Sequence, residues 1–304
     1  MDFECVIKGE NVSKNFKTFT LDIPEFKVPK GFATALIGEN GAGKTTLLNM
    51  LAGIRLDYKG DITFFGEYSS EEKEKSADVK NRIGYTGTGR YYLPQWTVSD
   101  IEEISSLMFD NFDKAAFRRY CKELAIFPDA ADGFAPKKKS QTLSDGTRTK
   151  LMLAGVMARD IDLLLLDEPA SPLDPLMRDK LCQMIGDYIN AGEGEKSVLF
   201  STHNISDMEN ITDYAIIMEH GTVVECGFVE DLKEKYILIK GDAKDADAAQ
   251  KILYSMTRNP YGFEGICLAE NLDKLAGMDV TKETPTLFQI SVTVMKNNTK
   301  LVMR

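Results

Sequence analysis

A glycine-rich segment at residues 38–46, with the sequence GENGAGKTT, constrains this chain more than any other feature. It matches the phosphate-binding pattern G-x-x-x-x-G-K-[ST] in full. The matching positions are Gly38, Gly43, Lys44 and Thr45. The apolar residues 32–37 before it predict a buried strand, and residues 45–52 after it predict a helix. A strand, a glycine-rich loop and a helix in this order predict a P-loop fold.

The chemistry of this loop is anion capture. Glycines let successive backbone N–H groups point inward, and the N-terminus of the following helix adds partial positive charge. Lys44 reaches the β- and γ-phosphates of a nucleoside triphosphate, and Thr45 is placed to ligate Mg²⁺. The alternative is a glycine-rich turn with a chance lysine, which the strand and the helix on either side disfavour. The chain is therefore predicted to bind a nucleoside triphosphate.

Composition limits what the rest of the chain can be. Its 304 residues suffice for one large domain with an appendage or for two domains, and 43% hydrophobic residues allow a substantial core. The strongest apolar run, at 161–166, is far too short to cross a bilayer, and residues 1–10 lack the pattern of a signal peptide. The scattered cysteines, without C-x-x-C spacing, predict free thiols in a reducing compartment. These features predict a cytoplasmic protein.

The net charge of −10 argues against a nucleic-acid-binding surface, because such surfaces need a basic patch or stripe. No segment is strongly basic. The lysine run at 137–139 is short and predicts a solvated loop. A nucleic-acid partner is therefore not expected.

Hydrophobic periodicity divides the chain into regions. Alternation before residue 30 predicts paired edge strands, whereas 97–127 repeats apolar residues at three- and four-residue steps and predicts helix. Ser99, followed three residues later by Glu102, fits a capping box at the start of this stretch. A second helix is predicted to begin near Ser144.

The chain changes character after residue 231, and the remainder predicts a small α+β unit. Strands are predicted at 236–240 and 263–269, with a helix at 243–257 between them. The last periodic segment, 287–294, alternates like a strand but follows Thr284 and Pro285, which suit a helix start. Both interpretations remain open for that segment.

A second motif for nucleotide chemistry lies at residues 163–168, where an apolar strand ends in two acids. Asp167 at the carboxyl end of the strand can hold the hydration shell of Mg²⁺, and Glu168 can orient or deprotonate an attacking water. An apolar strand that ends in acids is common in ordinary cores. It becomes a strong signal here because a P-loop precedes it in the same chain.

The order of four motifs resembles the nucleotide-binding subunit of an ATP-binding cassette (ABC) transporter. The motifs are GENGAGKTT at 38–46, LSDGT at 143–147, LLLLDEPASPLD at 163–174 and STH at 201–203. The resemblance covers about residues 3–231, and the remainder resembles more loosely the accessory segments of some bacterial ABC exporter ATPases. It implies an α/β, RecA-like P-loop core with an antiparallel β subdomain, a helical subdomain at about 97–150, and a C-terminal appendage. The implied domains are an ABC ATPase domain at 1–231 and a small α+β accessory domain at 232–304.

The resemblance implies roles for individual residues. The implied ATP-binding residues are Phe16, Gly38, Asn40, Gly41, Ala42, Gly43, Lys44, Thr45 and Thr46. Glu168, His203 and Lys44 would be catalytic, with His203 contacting the γ-phosphate. Mg²⁺ would be held by Thr45 and, through water, by Asp167. Phe16 falls where the family places an aromatic ring on adenine; Phe19 is the alternative for that role, and either ring could belong to the core.

The resemblance also implies a head-to-tail, two-fold dimer of ATPase subunits. Ser144, Gly146 and Thr147 would complete the ATP site of the second subunit, because a single P-loop with two carboxylates lacks donors beyond the γ-phosphate. Asp174 would belong to the loop that links the two sites. Closure on ATP and opening after hydrolysis would then drive membrane subunits.

Two positions depart from the family pattern. The family usually has LSGGQ where this chain has LSDGT, so Asp145 places a carboxylate near the expected triphosphate; its effect is small if the side chain faces solvent. The family also has a metal-binding glutamine after the strand at 82–85, where this chain has Thr86 or Thr88, and Gln95 comes several residues late. Hydrolysis is expected to persist, because the P-loop, both acids and the histidine are present.

The leading functional hypothesis is the ATPase subunit of a transporter, a homodimer or heterodimer peripheral to the inner face of the cell membrane. It would drive a separate transmembrane permease, by analogy an exporter. The expected docking groove lies beside 97–150, where Tyr91, Tyr92 and Trp96 contribute or merely pack locally. A soluble ABC ATPase acting on nucleic acid or ribosomes is disfavoured by the single P-loop and the acidic balance. A regulator that binds ATP without turnover has only the two departures in its favour.

Overall fold

The computed structural model describes residues 3–87 and 91–302, with side chains described up to residue 297. In chain order, the strands of these residues are β1 (Cys5–Asn15), β2 (Thr20–Pro29), β3 (Ala33–Ile37), β4 (Lys59–Phe64), β5 (Tyr68–Ser69), β6 (Ile83–Thr86), β7 (Leu163–Leu166), β8 (Ser197–Thr202), β9 (Tyr214–Glu219), β10 (Thr222–Phe228), β11 (Tyr236–Asp242), β12 (Tyr254–Asn259), β13 (Gly262–Leu268) and β14 (Val280–Glu283).

The α-helices of the same residues connect and cover these strands. They are α1 (Lys44–Leu51), α2 (Ser70–Lys75), α3 (Ala77–Asn81), α4 (Val98–Met108), α5 (Lys114–Glu123), α6 (Asp145–Met157), α7 (Pro175–Asn190), α8 (Val229–Lys235), α9 (Ala246–Ala249) and α10 (Leu287–Val302). Among the described residues, no helix combines the length and the apolar character needed to cross a membrane.

The central sheet has the strand order β10-β9-β3-β8-β7-β6, in which only the β9–β10 hairpin is antiparallel among the described strands. Every residue of β3, β7 and β8 is buried, as is typical of parallel strands that are covered on both faces. Their carboxyl ends lie at one edge of the sheet, where Ile37 pairs with Thr202 and Leu166 pairs with Phe200. This edge carries the P-loop, the two acids and the histidine.

A second sheet, with the order β2-β1-β4-β5, confirms the paired strands predicted before residue 30. Its inner face packs on α1 and on one face of the central sheet. The buried side chains there include Val12, Ile23, Phe64, Leu48 and Leu165. The P-loop helix is therefore held between two sheets.

The region after residue 97 is helical, but the predicted stretch 97–127 is divided between α4 and α5. The capping prediction there is wrong. Thr97 is the N-cap, since its hydroxyl accepts from the Asp100 N–H while the Asp100 carboxylate accepts from the Thr97 N–H. Glu102 is buried instead, and the Arg118 guanidinium donates two hydrogen bonds to it at 2.6 and 2.8 Å. The tertiary partner of Glu102 therefore decided where the cap lies.

The third sheet, β12-β13-β11-β14, has a small core of its own that includes Ile239, Leu253 and Phe263. The predicted helix at 243–257 is wrong beyond residue 249, because β12 begins at Tyr254 and pairs with β13. Pairing with a neighbouring strand overrides local helical preference in this segment.

The ambiguous segment at 287–294 is a helix, α10. Leu287, Ile290 and Val294 on this helix are buried in the core that also contains residues of β8 and β9. The chain thus leaves the central sheet at α8, forms the third sheet, and returns through α10. The domain boundary predicted at residue 231 falls inside α8 and stays a prediction.

Candidate active site

The P-loop occupies the turn between β3 and α1. Gly41 and Gly43 have φ values of 89° and 105°, which side chains with a Cβ rarely adopt. Gly38 is required for space, because a Cβ there would lie 2.5 Å from the Met218 carbonyl oxygen. The Ala42 carbonyl accepts from the Gly221 N–H at 3.1 Å, so the β9–β10 hairpin supports the loop. The left-handed glycines and this support fix the loop that the sequence predicted.

Lys44 is the first residue of α1, and its ammonium group is folded back over the loop. It donates to the carbonyls of Gly38 and Glu39 at 2.6 and 3.2 Å, and lies 3.4 Å from Glu168 Oε1. Its side chain is only 6% exposed, and burial lowers the pKa of Lys44, an effect that the Glu168 carboxylate opposes. Thr46 is half-buried on the same helical turn, and Asn40 is exposed at the tip of the loop.

Asp167 follows β7 and is held by hydroxyl groups. The Thr45 hydroxyl donates to its carboxylate, with distances of 3.1 and 2.9 Å to the two oxygens. The Ser201 hydroxyl donates to Asp167 Oδ1 at 2.6 Å and accepts from the Glu168 N–H at 2.9 Å. Ser201 was missed in the sequence, although its place two residues before His203 on β8 was a usable signal. Ser201 fixes the relative positions of the two acids.

The oxygen atoms of Thr45 and Asp167 suit Mg²⁺, a hard cation that usually takes one or two protein ligands together with phosphate and water. In the described residues, no group of three or more His, Cys, Asp or Glu side chains forms a complete metal cage. The Thr45 and Asp167 oxygens fit Mg²⁺ that is held together with phosphate and water.

Glu168 has a φ of 50°, a strained value for a residue with a side chain. This backbone places its carboxylate between the Lys44 ammonium and the His203 imidazole, whose Nδ1 lies 2.7 Å from Glu168 Oε2. The His203 ring is 43% exposed and follows the fully buried strand β8. A carboxylate held between an ammonium group and an imidazole is in a position to accept a proton from a water molecule.

The acids and the histidine line a cavity of about 540 Å³. Thr86 also lines this cavity; it is buried at the end of β6, and its carbonyl accepts from the Asp167 N–H at 2.9 Å. Thr88, the other candidate for the missing glutamine, lies outside the described residues. Gln95 is exposed. Of the two threonines considered in place of the missing glutamine, Thr86 is the one that the structure places beside Asp167.

Phe16 and Phe19 have different surroundings. Phe19 packs against the core beneath the P-loop, where a Cβ on Gly43 would lie 3.0 Å from its ring. Phe16 is half-exposed, with the Arg55 guanidinium 5.1 Å and the Lys14 ammonium 5.8 Å from its ring centre. This placement favours Phe16 for stacking on a purine, which stays a prediction.

The first turn of α6 carries the residues predicted to act on a second subunit. Ser144 is the N-cap: its hydroxyl accepts from the Thr147 N–H at 3.2 Å and lies 2.8 Å from the Thr147 hydroxyl. Both residues line a separate cavity of about 430 Å³ beside 126–130. Gly146 lies against the 171–174 loop, since a Cβ there would be 2.9 Å from the Pro172 carbonyl oxygen.

Asp145 is 87% exposed and pairs with Arg148, one turn along α6. Solvent and the neighbouring cation screen its charge, but Asp145 also lines the cavity of Glu168 and His203, so neither of the two cases considered for it is excluded. Asp174 caps α7, because its carboxylate accepts from the Met177 N–H at 3.1 Å. The first turn of α6 thus forms normally with LSDGT in place of the family's LSGGQ.

The aromatic residues suggested for the docking groove are mainly structural. Tyr92 is buried in the core, and its ring meets that of Tyr91 edge-on at 5.0 Å. Trp96 also packs against this core. Tyr91 is 45% exposed. For Tyr92 the alternative of local packing holds, because the tyrosine fills space beside Gly155.

Comparison with known proteins agrees with this geometry. Residues 21–171, about half of the chain, match the family model described as ABC transporter. The chain is 28% identical over 267 residues to an uncharacterized ABC transporter ATP-binding protein of Nostoc sp.. The aligned residues cover 87% of this chain and 77% of that protein. It is 26% identical to the nickel import ATP-binding protein NikO of Rhodobacter capsulatus, over 71% of this chain and 86% of that protein.

The fold has a counterpart among solved structures. A structure described as the ATP binding subunit of an ABC transporter superposes with a TM-score of 0.62 at 21% identity, covering 75% of this chain and 92% of that one. At this level of identity the likeness shows the fold, and the predicted P-loop ABC ATPase architecture is confirmed. The roles of single residues stay predictions.

Proposed function

We propose that this chain, which contains an ATP-binding domain of the ABC transporter family, closes head-to-tail with a second copy of itself around two ATP molecules and drives a membrane permease. ATP hydrolysis coupled to transport is the activity of this family. The observation that carries the proposal is the contact of Glu168 with both Lys44 and His203, beside the Thr45–Asp167 pair. This arrangement brings together a cation for phosphate (Lys44), a general base (Glu168) and an acid for the metal (Asp167) at the same edge of the central sheet.

Each side chain has a defined task in this proposal. The P-loop amides and Lys44 bind the β- and γ-phosphates, and Glu168 accepts a proton from the attacking water. His203 holds the Glu168 carboxylate in place through its 2.7 Å contact. Thr45 and Asp167 would hold Mg²⁺, which supplies charge neutralisation at the phosphates when bound. The buried setting of Lys44 and Asp167 strengthens their electrostatic effect on the phosphates.

A second copy is proposed because two of the residues predicted to bind its γ-phosphate lie away from this site, although Asp145, Arg148 and Thr149 of the same helix line the cavity of Glu168. Ser144 and Thr147 line a cavity different from the one that Glu168 and His203 line. A hydroxyl, backbone N–H groups and a helix N-terminus form an anion-binding surface, so this turn suits a γ-phosphate bound by another subunit. A two-fold arrangement lets both copies use the same pair of surfaces.

The family supports the proposal of a membrane permease as the partner. Subunits of this kind work at the membrane, and we propose a position peripheral to the inner face of the cell membrane. One relative is named for nickel import, so the expectation of export stays a prediction.

A complementation experiment tests the dimer. Lys44→Ala damages the P-loop half of a site, and Ser144→Asp damages the α6 half while keeping an N-cap, since Asp caps helices as well as Ser. Each variant alone should be nearly inactive. After subunit exchange, half of the dimers hold one undamaged site, so the mixture should recover about one quarter of the wild-type ATPase rate.

The control mixture combines Lys44→Ala with Glu168→Gln. Both changes damage the same half of a site, so every mixed dimer has two damaged sites and no activity should return. Recovery in the control, or none in the Lys44→Ala and Ser144→Asp mixture, would contradict a site shared between two copies. A wild-type protein that turns over no faster than Glu168→Gln would instead support a regulator that binds ATP without hydrolysis.

A further inference from the structure

The segment 205–211 directly follows His203 and joins the active site to the C-terminal part of the chain. It consists of two short 3-10 turns, Ile205–Asp207 and Glu209–Ile211. Ile205 and Met208 are 1% and 0% exposed, so the segment is anchored from inside. The His203 ring itself is 43% exposed and has little packing of its own. Its position therefore depends on the backbone before it, in β8, and after it, in this segment.

One attachment of the segment comes from α7. Arg178 Nη1 donates to Asp207 Oδ1 at 2.8 Å, and Arg178 Nε donates to the Leu173 carbonyl at 2.9 Å. The Cys182 thiol donates to the Asp207 carbonyl at 3.6 Å. Arg178 thus ties the segment after His203 to the 171–174 loop, which also lies against the α6 turn at Gly146.

The other attachment comes from α10. The Leu287 N–H, in the first turn of that helix, donates to Glu209 Oε1 at 2.8 Å. A carboxylate at a helix N-terminus is also stabilised by the helix dipole. Leu287 and Ile290 are fully buried in the same core as Ile205 and Met208. The last helix of the chain is therefore both hydrogen-bonded and packed onto the segment that follows His203.

We infer that α10 is a positioning element for hydrolysis, acting through Glu209 and the 205–211 segment on His203. Glu209 is a positioning residue, because it touches neither the P-loop nor the acids. The inference rests on the role proposed for His203 and extends it to Glu209 and α10, which, like His203, lie outside the matched family region 21–171. A ligand or partner that displaced α10 would slow hydrolysis without emptying the nucleotide site.

The test compares Glu209→Ala with Glu209→Gln. The alanine removes the acceptor of the Leu287 N–H, whereas glutamine keeps an oxygen acceptor in the same position. We expect Glu209→Ala to lower kcat about tenfold through misplacement of His203, with KM for ATP changed less than about twofold, and Glu209→Gln to stay near wild type. Glu71→Ala is the matched control, since it removes an exposed pair with Lys75 within α2.

A double-mutant cycle separates positioning from general stability. In single-turnover assays with excess enzyme, Glu209→Ala should have less than about a twofold further effect in a His203→Ala background, because it acts through the same group. An unchanged kcat in Glu209→Ala, or an equal fall in both backgrounds, would overturn the inference. If His203→Ala itself hydrolyses ATP normally, the role proposed for His203 fails first, and the two failures are thereby distinguished.

Discussion

The edge that carries Glu168 and the turn that carries Ser144 hold their polar side chains in opposite ways. At the edge, Lys44 and Asp167 are buried, and each acid has a partner within 3.4 Å from another element. At the turn, Ser144 is exposed and bonds only to its own helical turn among the described contacts. The first region is preorganised for chemistry within the chain, whereas the second presents donors outward. In the proposed dimer, the edge of one copy would meet the turn of the other.

The largest effect should come from Glu168→Gln, which removes the base and keeps the shape. We expect kcat for ATP hydrolysis to fall about 10²–10³-fold, within the usual range for loss of a positioned base. ATP binding should be retained, because Lys44 and the P-loop amides are unchanged. Steady-state ATPase rates and titration with a fluorescent ATP analogue measure the two quantities.

Glu234→Gln is the matched control for that change, since Glu234 is exposed on α8. Its ATPase rate should equal that of the wild type. Equal rates for Glu168→Gln and the wild type would show that the edge does not perform hydrolysis, and the comparison between the two regions would lose its basis.

A smaller effect is expected at the outward turn. Ser144→Asp should lower kcat about 10–100-fold, because it aims a carboxylate at the partner's γ-phosphate, whereas Ser144→Asn should cost only a few-fold. Both residues cap helices well, so the two variants should share one melting temperature. The contrast between Asp and Asn thus isolates charge from folding.

Equal activity of Ser144→Asp and Ser144→Asn would mean that this turn meets no phosphate. The measurement is ATPase rate against protein concentration, together with thermal unfolding of both variants. A rate per molecule that is independent of concentration down to the lowest detectable value would also count against a reversible dimer.

The smallest effect should come from Asp145→Gly, which restores the residue that the family usually has. Asp145 is exposed and paired with Arg148, and such surface charges interact weakly. We expect kcat to change less than about twofold. Asp145→Asn serves as a control that keeps the side-chain size. A rise of tenfold or more in either variant would show that this carboxylate does oppose the triphosphate.

The site was largely predictable because its chemistry depends on residue types at short spacing. The P-loop residues, Asp167, Glu168 and His203 each sit at the end of a buried strand, and parallel strands bring such ends together. The role of Ser201 was not predicted, although the serine belongs to the STH triplet at 201–203, because the triplet does not show which group the hydroxyl contacts. Its hydroxyl matters only because β7 and β8 are neighbours in parallel register.

Several element predictions failed where contacts distant in sequence outweighed local preference. Ser99 and Glu102 have the spacing of a capping box, yet Glu102 is buried and bonded to Arg118 on the next helix. Residues after 249 have helical character, yet β12 pairs with β13. Each outcome depends on a partner that periodicity does not reveal.

The sequence by itself determined the nucleotide chemistry, because a phosphate loop, two acids after an apolar strand and a histidine after another are encoded by local order. Only the tertiary structure decided that Ser144 lines a different cavity from Glu168, and that α10 returns to bond with Glu209, six residues after His203. The physical reason is that a motif fixes which groups are available, whereas the direction each group faces is set by packing between segments far apart in the chain.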